Sequence, residues 1–296
     1  MAYLEKLSVG ENDIPCQDIR DRVHIRGRIT ASTTRGPCGL SYFIYRPRRT
    51  FGRPEQVIFS IHGYTRNALQ HAVVLQELAE EKGLTIVVPH FTRKKFRRYQ
   101  QVRSHGHNPS PDIALMELID ELREIDDLDL STIRAVGYSG GGQFLHRFIM
   151  LRPDIIDRAV LFAPGWYTMP YSGYAYPLGL GDSKHLENRS LSLDGFRRSE
   201  VLVLVGDNDI GRSATLNQNK EIDFLQGRTR VVRAKTWVKA MNAELPSECS
   251  LKLQLLKGLR HGFRRNFETK GYGRLVFDQL LDEGPAPLST EESQSS

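Results

Sequence analysis

Apolar residues along the chain fall into short unbroken runs separated by helical stripes. Residues 57–61 (VIFSI), 84–88, 133–137, 157–162 and 201–205 (VLVLV) are runs of this kind. They are short, rich in β-branched residues and do not alternate, as expected of strands buried on both faces. Between them, 69–81 carries Ala72, Leu75, Leu78 and Ala79 at helical spacing. Residues 113–122 carry Ile113, Leu115, Met116, Ile119 and Leu122 behind Asp112, which can cap a helix. Further helices are predicted after residue 139 (Phe144, Leu145, Phe148, Ile149), over about 213–224 and 228–243, and over 266–283. Residues 251–256 alternate like a strand, and Pro89 and Pro164 stop the strands before them. Residues 22–33 and 39–46 alternate in part and read as an antiparallel hairpin joined through Arg35-Gly36-Pro37. Strands alternating with helices predict an α/β fold: a mostly parallel, doubly wound sheet behind an N-terminal antiparallel hairpin. Residues 164–195 are rich in Gly, Tyr, Pro and Ser without a period, and read as a short lid-like insertion. The expected organisation is one domain over 1–283 and a polar, disordered tail over 284–296.

In a sheet of this class, chemistry sits past the carboxyl ends of the strands. Polar candidates fall there. The run 133–137 ends in Gly137-Tyr138-Ser139-Gly140-Gly141, a G-x-S-x-G elbow in a strand–turn–helix setting. After 201–205 comes Gly206-Asp207-Asn208-Asp209, and after 251–256 comes Gly258-Leu259-Arg260-His261-Gly262. Ser139, an aspartate and His261 thus occur in the order Ser, Asp, His, each on a loop behind its own strand. A serine hydroxyl needs a base to become a nucleophile, an imidazole titrates near neutrality, and a carboxylate can hold that imidazole in one tautomer. Asp207 and Asp209 compete for the carboxylate role. A Gly-x-x-Asp spacing selects Asp209 and leaves Asp207 to cap the turn. An oxyanion needs two backbone donors: the amide of Gly140 and that of Tyr64, which follows His62-Gly63 behind VIFSI. His62 is expected to organise that loop. Trp166, Tyr167 and Tyr138 are the candidate substrate-binding residues. The aromatic cluster of 164–195 serves either as lid packing or as a wall for an acyl or alcohol group.

Charge changes the picture at one place. The net charge is +6, and residues 93–103 (RKKFRRYQQVR) hold six basic residues and no acid. This segment is either a solvated face or a positive rim drawing anionic substrates to a cleft. No nucleic-acid module surrounds it, so no nucleic-acid partner is expected. Three scattered cysteines (Cys16, Cys38, Cys249) form neither a CxxC pair nor a disulfide framework, which points to a reducing, cytoplasmic compartment. The N-terminus lacks the basic-then-apolar pattern of a secretory signal, and no apolar run is long enough to span a membrane. His90, His105 and His107 make no metal pattern, so neither metal nor cofactor is expected.

Together these residues resemble the α/β-hydrolase superfamily over nearly the whole chain. Within it, His62-Gly63-Tyr64-Thr65-Arg66-Asn67, Phe96-Arg97-Arg98-Tyr99-Gln100, Gly137–Phe144 and Gly165-Trp166-Tyr167-Thr168-Met169-Pro170 are similar to serine hydrolases related to polyhydroxybutyrate-depolymerase-like and dienelactone-hydrolase-like esterases. The resemblance implies hydrolysis of a small-molecule carboxylic ester through an acyl-enzyme. The same triad would serve a thioesterase, peptidase or acyltransferase, and a non-catalytic binding protein on this fold is the reading of another class. One departure is the glycine triplet after the serine, whose second position is often alanine and which should loosen the elbow slightly.

Overall fold

The computed structural model describes residues 25–51, 55–104, 106–124, 128–182, 186 and 189–281. The expected tail, His105, Cys16 and the start of the hairpin at 22–24 lie outside the described residues. Eight strands form one sheet: β1 (Ile29–Thr33), β2 (Ser41–Tyr45), β3 (Gln56–Ile61), β4 (Leu84–His90), β5 (Ile133–Tyr138), β6 (Ile156–Phe162), β7 (Glu200–Gly206) and β8 (Lys252–Leu256). Their order is β1-β2-β4-β3-β5-β6-β7-β8. β1–β2 and β2–β4 pair antiparallel, and every other pair is parallel. This is the expected α/β architecture, hairpin included.

Side chains alternate across the central strands into two cores, one on each face. Val57, Phe59, Ile61, Ala135, Leu161 and Val203 face one layer, which is closed by α2 (Pro111–Arg123), α3 (Gly140–Leu151) and α6 (Arg230–Glu244). Ile58, Val136, Val160, Phe162 and Leu204 face the other, closed by α1 (Ala68–Lys82) and α7 (Tyr272–Leu281). Burial on both sides explains why these strands read as apolar runs.

Several boundaries differ from the sequence pattern for identifiable reasons. β4 continues through Pro89 because its ladder with β3 ends at Phe59↔Val87, so the proline faces only β2 as a registered neighbour. Asp112 does not cap α2. Ser110 stands at the cap with Pro111 behind it, and the buried Asp112 instead pairs with Arg152 at 3.0 Å and Arg189 at 2.5 Å. The helix expected over 266–283 is two pieces, a π-helical turn at Arg265–Thr269 and α7, separated at Gly271 in the left-handed region (φ 67°). The helix expected over 213–224 is confined to α5 (Lys220–Gln226), where Asn219 accepts the Glu221 amide at 2.7 Å. Of the supposed lid, residues 164–170 are buried in the body, and a short helix α4 (Asp194–Arg198) closes the segment.

Three histidines are fully enclosed: His62, His71 and His146. Desolvation lowers the pKa of each, that of His62 to about 3. All three stay neutral in the fold but protonate near pH 6.5 when unfolded. The unfolded chain therefore binds more protons below that pH. The stability is complete above about pH 6.5 and declines as pH falls toward the folded values. The urea midpoint is expected to drop between about pH 7.5 and 5.5, before most carboxylates titrate. A flat midpoint over that interval would contradict this assignment.

Candidate active site

Ser139 sits at the turn between β5 and α3 with φ 52° and ψ −106°, a region that disfavours a side chain. The turn is forced by close packing. A β-carbon on Gly141 would stand 2.0 Å from the Ile61 carbonyl oxygen and 2.8 Å from that of His62. The first turn of α3 is thus pressed onto the end of β3, and the glycine triplet is tight rather than loose. The N-terminus of α3 is held there with its unsatisfied amides beside the serine.

The same closeness brings two amides together. A β-carbon on Gly140 would lie 2.9 Å from the Tyr64 nitrogen, and one on Gly63 would lie 3.7 Å from Ser139 Cβ. Among the described residues, neither the Gly140 nor the Tyr64 amide hydrogen-bonds within the protein. The loop is built by His62. Its Nε2 accepts the Phe91 amide at 3.0 Å and its Nδ1–H donates to the Gly63 carbonyl at 2.9 Å, which uses both nitrogens of a neutral ring. Tyr99 clamps the loop from outside, donating to the His62 carbonyl at 2.6 Å.

The loops after β7 and β8 supply the other two groups. His261 Nε2 lies 3.1 Å from Ser139 Oγ, and its Nδ1 lies 2.7 Å from Asp209 Oδ2. Asp209 is buried, while Asp207 is exposed and accepts the Gly258 amide at 2.8 Å, tying the two loops together. Hydroxyl, imidazole and carboxylate form a continuous chain along which a proton can leave the serine oxygen.

Of the three expected substrate-binding residues, only Trp166, itself buried, lines a cavity. The Tyr138 hydroxyl accepts the Gly262 amide at 2.7 Å, and its ring stacks on His261 with centroids 5.1 Å apart. Its placement differs from the expectation: it supports the histidine loop from beneath. Tyr167 is fully buried, stacked on Trp237 at 4.5 Å, with its backbone bonded to the Gln226 side chain. It packs the core, because 164–170 runs inside the body and not over it.

One residue absent from the sequence reading completes the site. Arg230, the first residue of α6, donates to Asp209 Oδ1 at 3.1 Å and is itself buried. The basic segment is also no free surface. Phe96, Tyr99 and Val102 are buried, and an apolar residue at every third position was the available sign of that packing. Its arginines line a cavity of about 540 Å³ that also meets Tyr64 and Trp166. Ser139, His261 and Asp209 are not on the cavity wall; Tyr64 is the link between the two.

The fold as a whole is similar to those of several solved structures. A poly(aspartic acid) hydrolase from Sphingomonas sp. KT-1 superposes with TM-score 0.71 at 22% identity, covering 86% of this chain and 100% of its own. A poly(3-hydroxybutyrate) depolymerase from Bordetella parapertussis gives TM-score 0.73 at 20% identity, covering 91% and 94%. A putative dienelactone hydrolase from Klebsiella pneumoniae gives 0.52 at 16%, covering 85% and 98%. No protein-family model and no curated protein sequence matches the chain. The chain has the α/β-hydrolase fold. No helix among the described residues is long and apolar enough to cross a membrane.

Replacing Gly141 by Ala forces a β-carbon onto backbone that cannot retreat. A loss of about 3 kcal/mol in unfolding free energy is expected, measured by urea denaturation. Stability equal to wild type would show that the elbow is not packed as described.

Proposed function

We propose that the protein is a serine hydrolase that cleaves a carboxylic ester through an acyl-enzyme. The observation that carries this reading is the chain of contacts Ser139–His261–Asp209, at 3.1 and 2.7 Å, beside two unpaired amides. His261 takes the proton of Ser139 as Oγ attacks the ester carbonyl, forming a C–O bond and a tetrahedral oxyanion. The amides of Tyr64 and Gly140 receive that oxyanion, each worth roughly 10²–10³ in turnover. His261 then protonates the departing alcohol oxygen as its C–O bond breaks. Water repeats the sequence on the acyl-enzyme: His261 takes its proton, and Ser139 leaves with that proton restored. Asp209 holds the imidazole with Nε2 toward the serine and balances the transient imidazolium. Arg230, on the other carboxylate oxygen, fixes the rotation of Asp209. The ester-cleaving neighbours support this reading through the fold they share.

Ser139→Ala is expected to lower kcat for 4-nitrophenyl acetate by about 10⁵–10⁶ without a change in circular dichroism. Retained hydrolysis by the folded variant would refute the nucleophile. Asp209→Asn should reduce kcat by about 10⁴ by favouring the wrong histidine tautomer, whereas Asp207→Asn should be mild. The opposite ranking in steady-state kinetics would transfer the role to Asp207.

A further inference from the structure

Arginine is used in two ways in this chain. Three buried guanidiniums each meet a carboxylate: Glu55 for Arg46, Asp209 for Arg230 and Asp223 for Arg233. Two others, Arg66 and Arg147, have no acid partner among the described residues. Arg66 donates to the carbonyls of Phe91 and Arg97 and leaves Nε without a hydrogen bond. Arg147 donates to Thr168 Oγ1 and to the Gln100 and Gln143 carbonyls and leaves Nη2 without one. Burial lowers both pKa values, that of Arg147 to about 10, so both remain cations at neutral pH. Both flank one cavity. Arg66 lines it, and Arg147 lies behind the lining residue Trp166, 4.2 Å from its ring centroid.

The exposed wall repeats the pattern. Arg93, Arg97 and Arg98 line the cavity, and among the described residues none of them has an acid partner. Among the described residues, five arginines, Arg103 included, line the space, and Glu221 is the one carboxylate on the lining. Arg66 lies 4.9 Å from the Tyr99 ring, as Arg147 lies over Trp166, but a buried cation without a counter-charge remains costly, and like charges around one cavity repel. An anion arriving in the cavity would relieve both penalties. The forked guanidinium also matches a carboxylate or phosphate in two-point contact.

We infer that this cavity is a substrate subsite for an anionic group, carboxylate or phosphate, carried by the ester at a distance from its scissile bond. The inference rests on the serine-hydrolase reading. Tyr64 joins the two sites: its amide faces the oxyanion position and its side chain, with Arg93 5.8 Å from its ring, begins the cationic wall.

The test compares kcat/KM for 4-nitrophenyl valerate and for its isostere 4-nitrophenyl hydrogen glutarate, which ends in carboxylate instead of methyl. Wild-type protein should favour the glutarate ester by about tenfold, one well-formed charged contact. The preference should shrink as sodium chloride is raised, and should be lost in R97Q/R98Q. Equal and salt-independent hydrolysis of both esters would overturn the subsite and leave the hydrolase standing. If neither ester is cleaved, the hydrolase reading fails separately, and the cavity is judged by binding alone. Tricarballylate and inorganic phosphate are then titrated calorimetrically into Ser139→Ala protein. Saturable binding of either anion that R97Q/R98Q weakens supports the subsite, and the tighter of the two identifies the group. Absence of binding by both overturns it.

Discussion

Everything in the site depends on how closely the first turn of α3 approaches the end of β3. No β-carbon fits at Gly141, so the helix start can lie against the Ile61 and His62 carbonyls. That contact drives Ser139 into its left-handed conformation, sets its hydroxyl at the tip of the turn and brings the Gly140 and Tyr64 amides side by side. The strain is held in place by two hydrophobic layers on either face of the sheet and by His62, whose ring nitrogens are both committed to backbone. A site assembled this way is preorganised, which matters because its proposed work is to receive charge that appears only in the transition state.

Charge placement forms a second level of order. Buried carboxylates and guanidiniums are paired where they serve structure, as in Asp112 with Arg152 and Arg189, and Asp223 with Arg212 and Arg233. Arg230 extends this habit to the proposed triad: it gives Asp209 a fixed cationic neighbour and leaves the opposite oxygen for His261. The cavity beside Tyr64 breaks the habit: among the described residues, Arg93, Arg97 and Arg98 on its exposed wall and Arg66 and Arg147 on its buried flank meet no carboxylate. That concentration of guanidiniums distinguishes this cavity from a plain apolar pocket.

How much of this could be read in the sequence depended on the range of each interaction. Ser139, Asp209 and His261 were legible because each follows an apolar run at a turn, and the sheet alone carries them to one end. The tightness of the elbow was not, since the atoms that exclude a side chain at Gly141 belong to Ile61, on another strand. Arg230 looked like one more cation on a basic helix, because its partner lies across the fold. The role of Tyr138 is not legible locally, because the group it serves, the Gly262 amide, lies 124 residues away. The segment 164–195 read as a lid from its glycines, prolines and tyrosines. Its first part is core because Trp237 and Arg147 offer faces that composition alone does not reveal. The single helix expected over 266–283 broke at Gly271, where a helical apolar pattern continued through a residue that had adopted a positive φ.

An activated nucleophile at Ser139 would be captured covalently by an electrophilic phosphorus reagent. The folded protein is treated with a fluorophosphonate, and the adduct is located by peptide mass spectrometry. One phosphonyl adduct is expected, on Ser139, and none in urea-unfolded protein. Folded protein that stays unmodified, or that carries its adduct on another residue, would contradict this assignment.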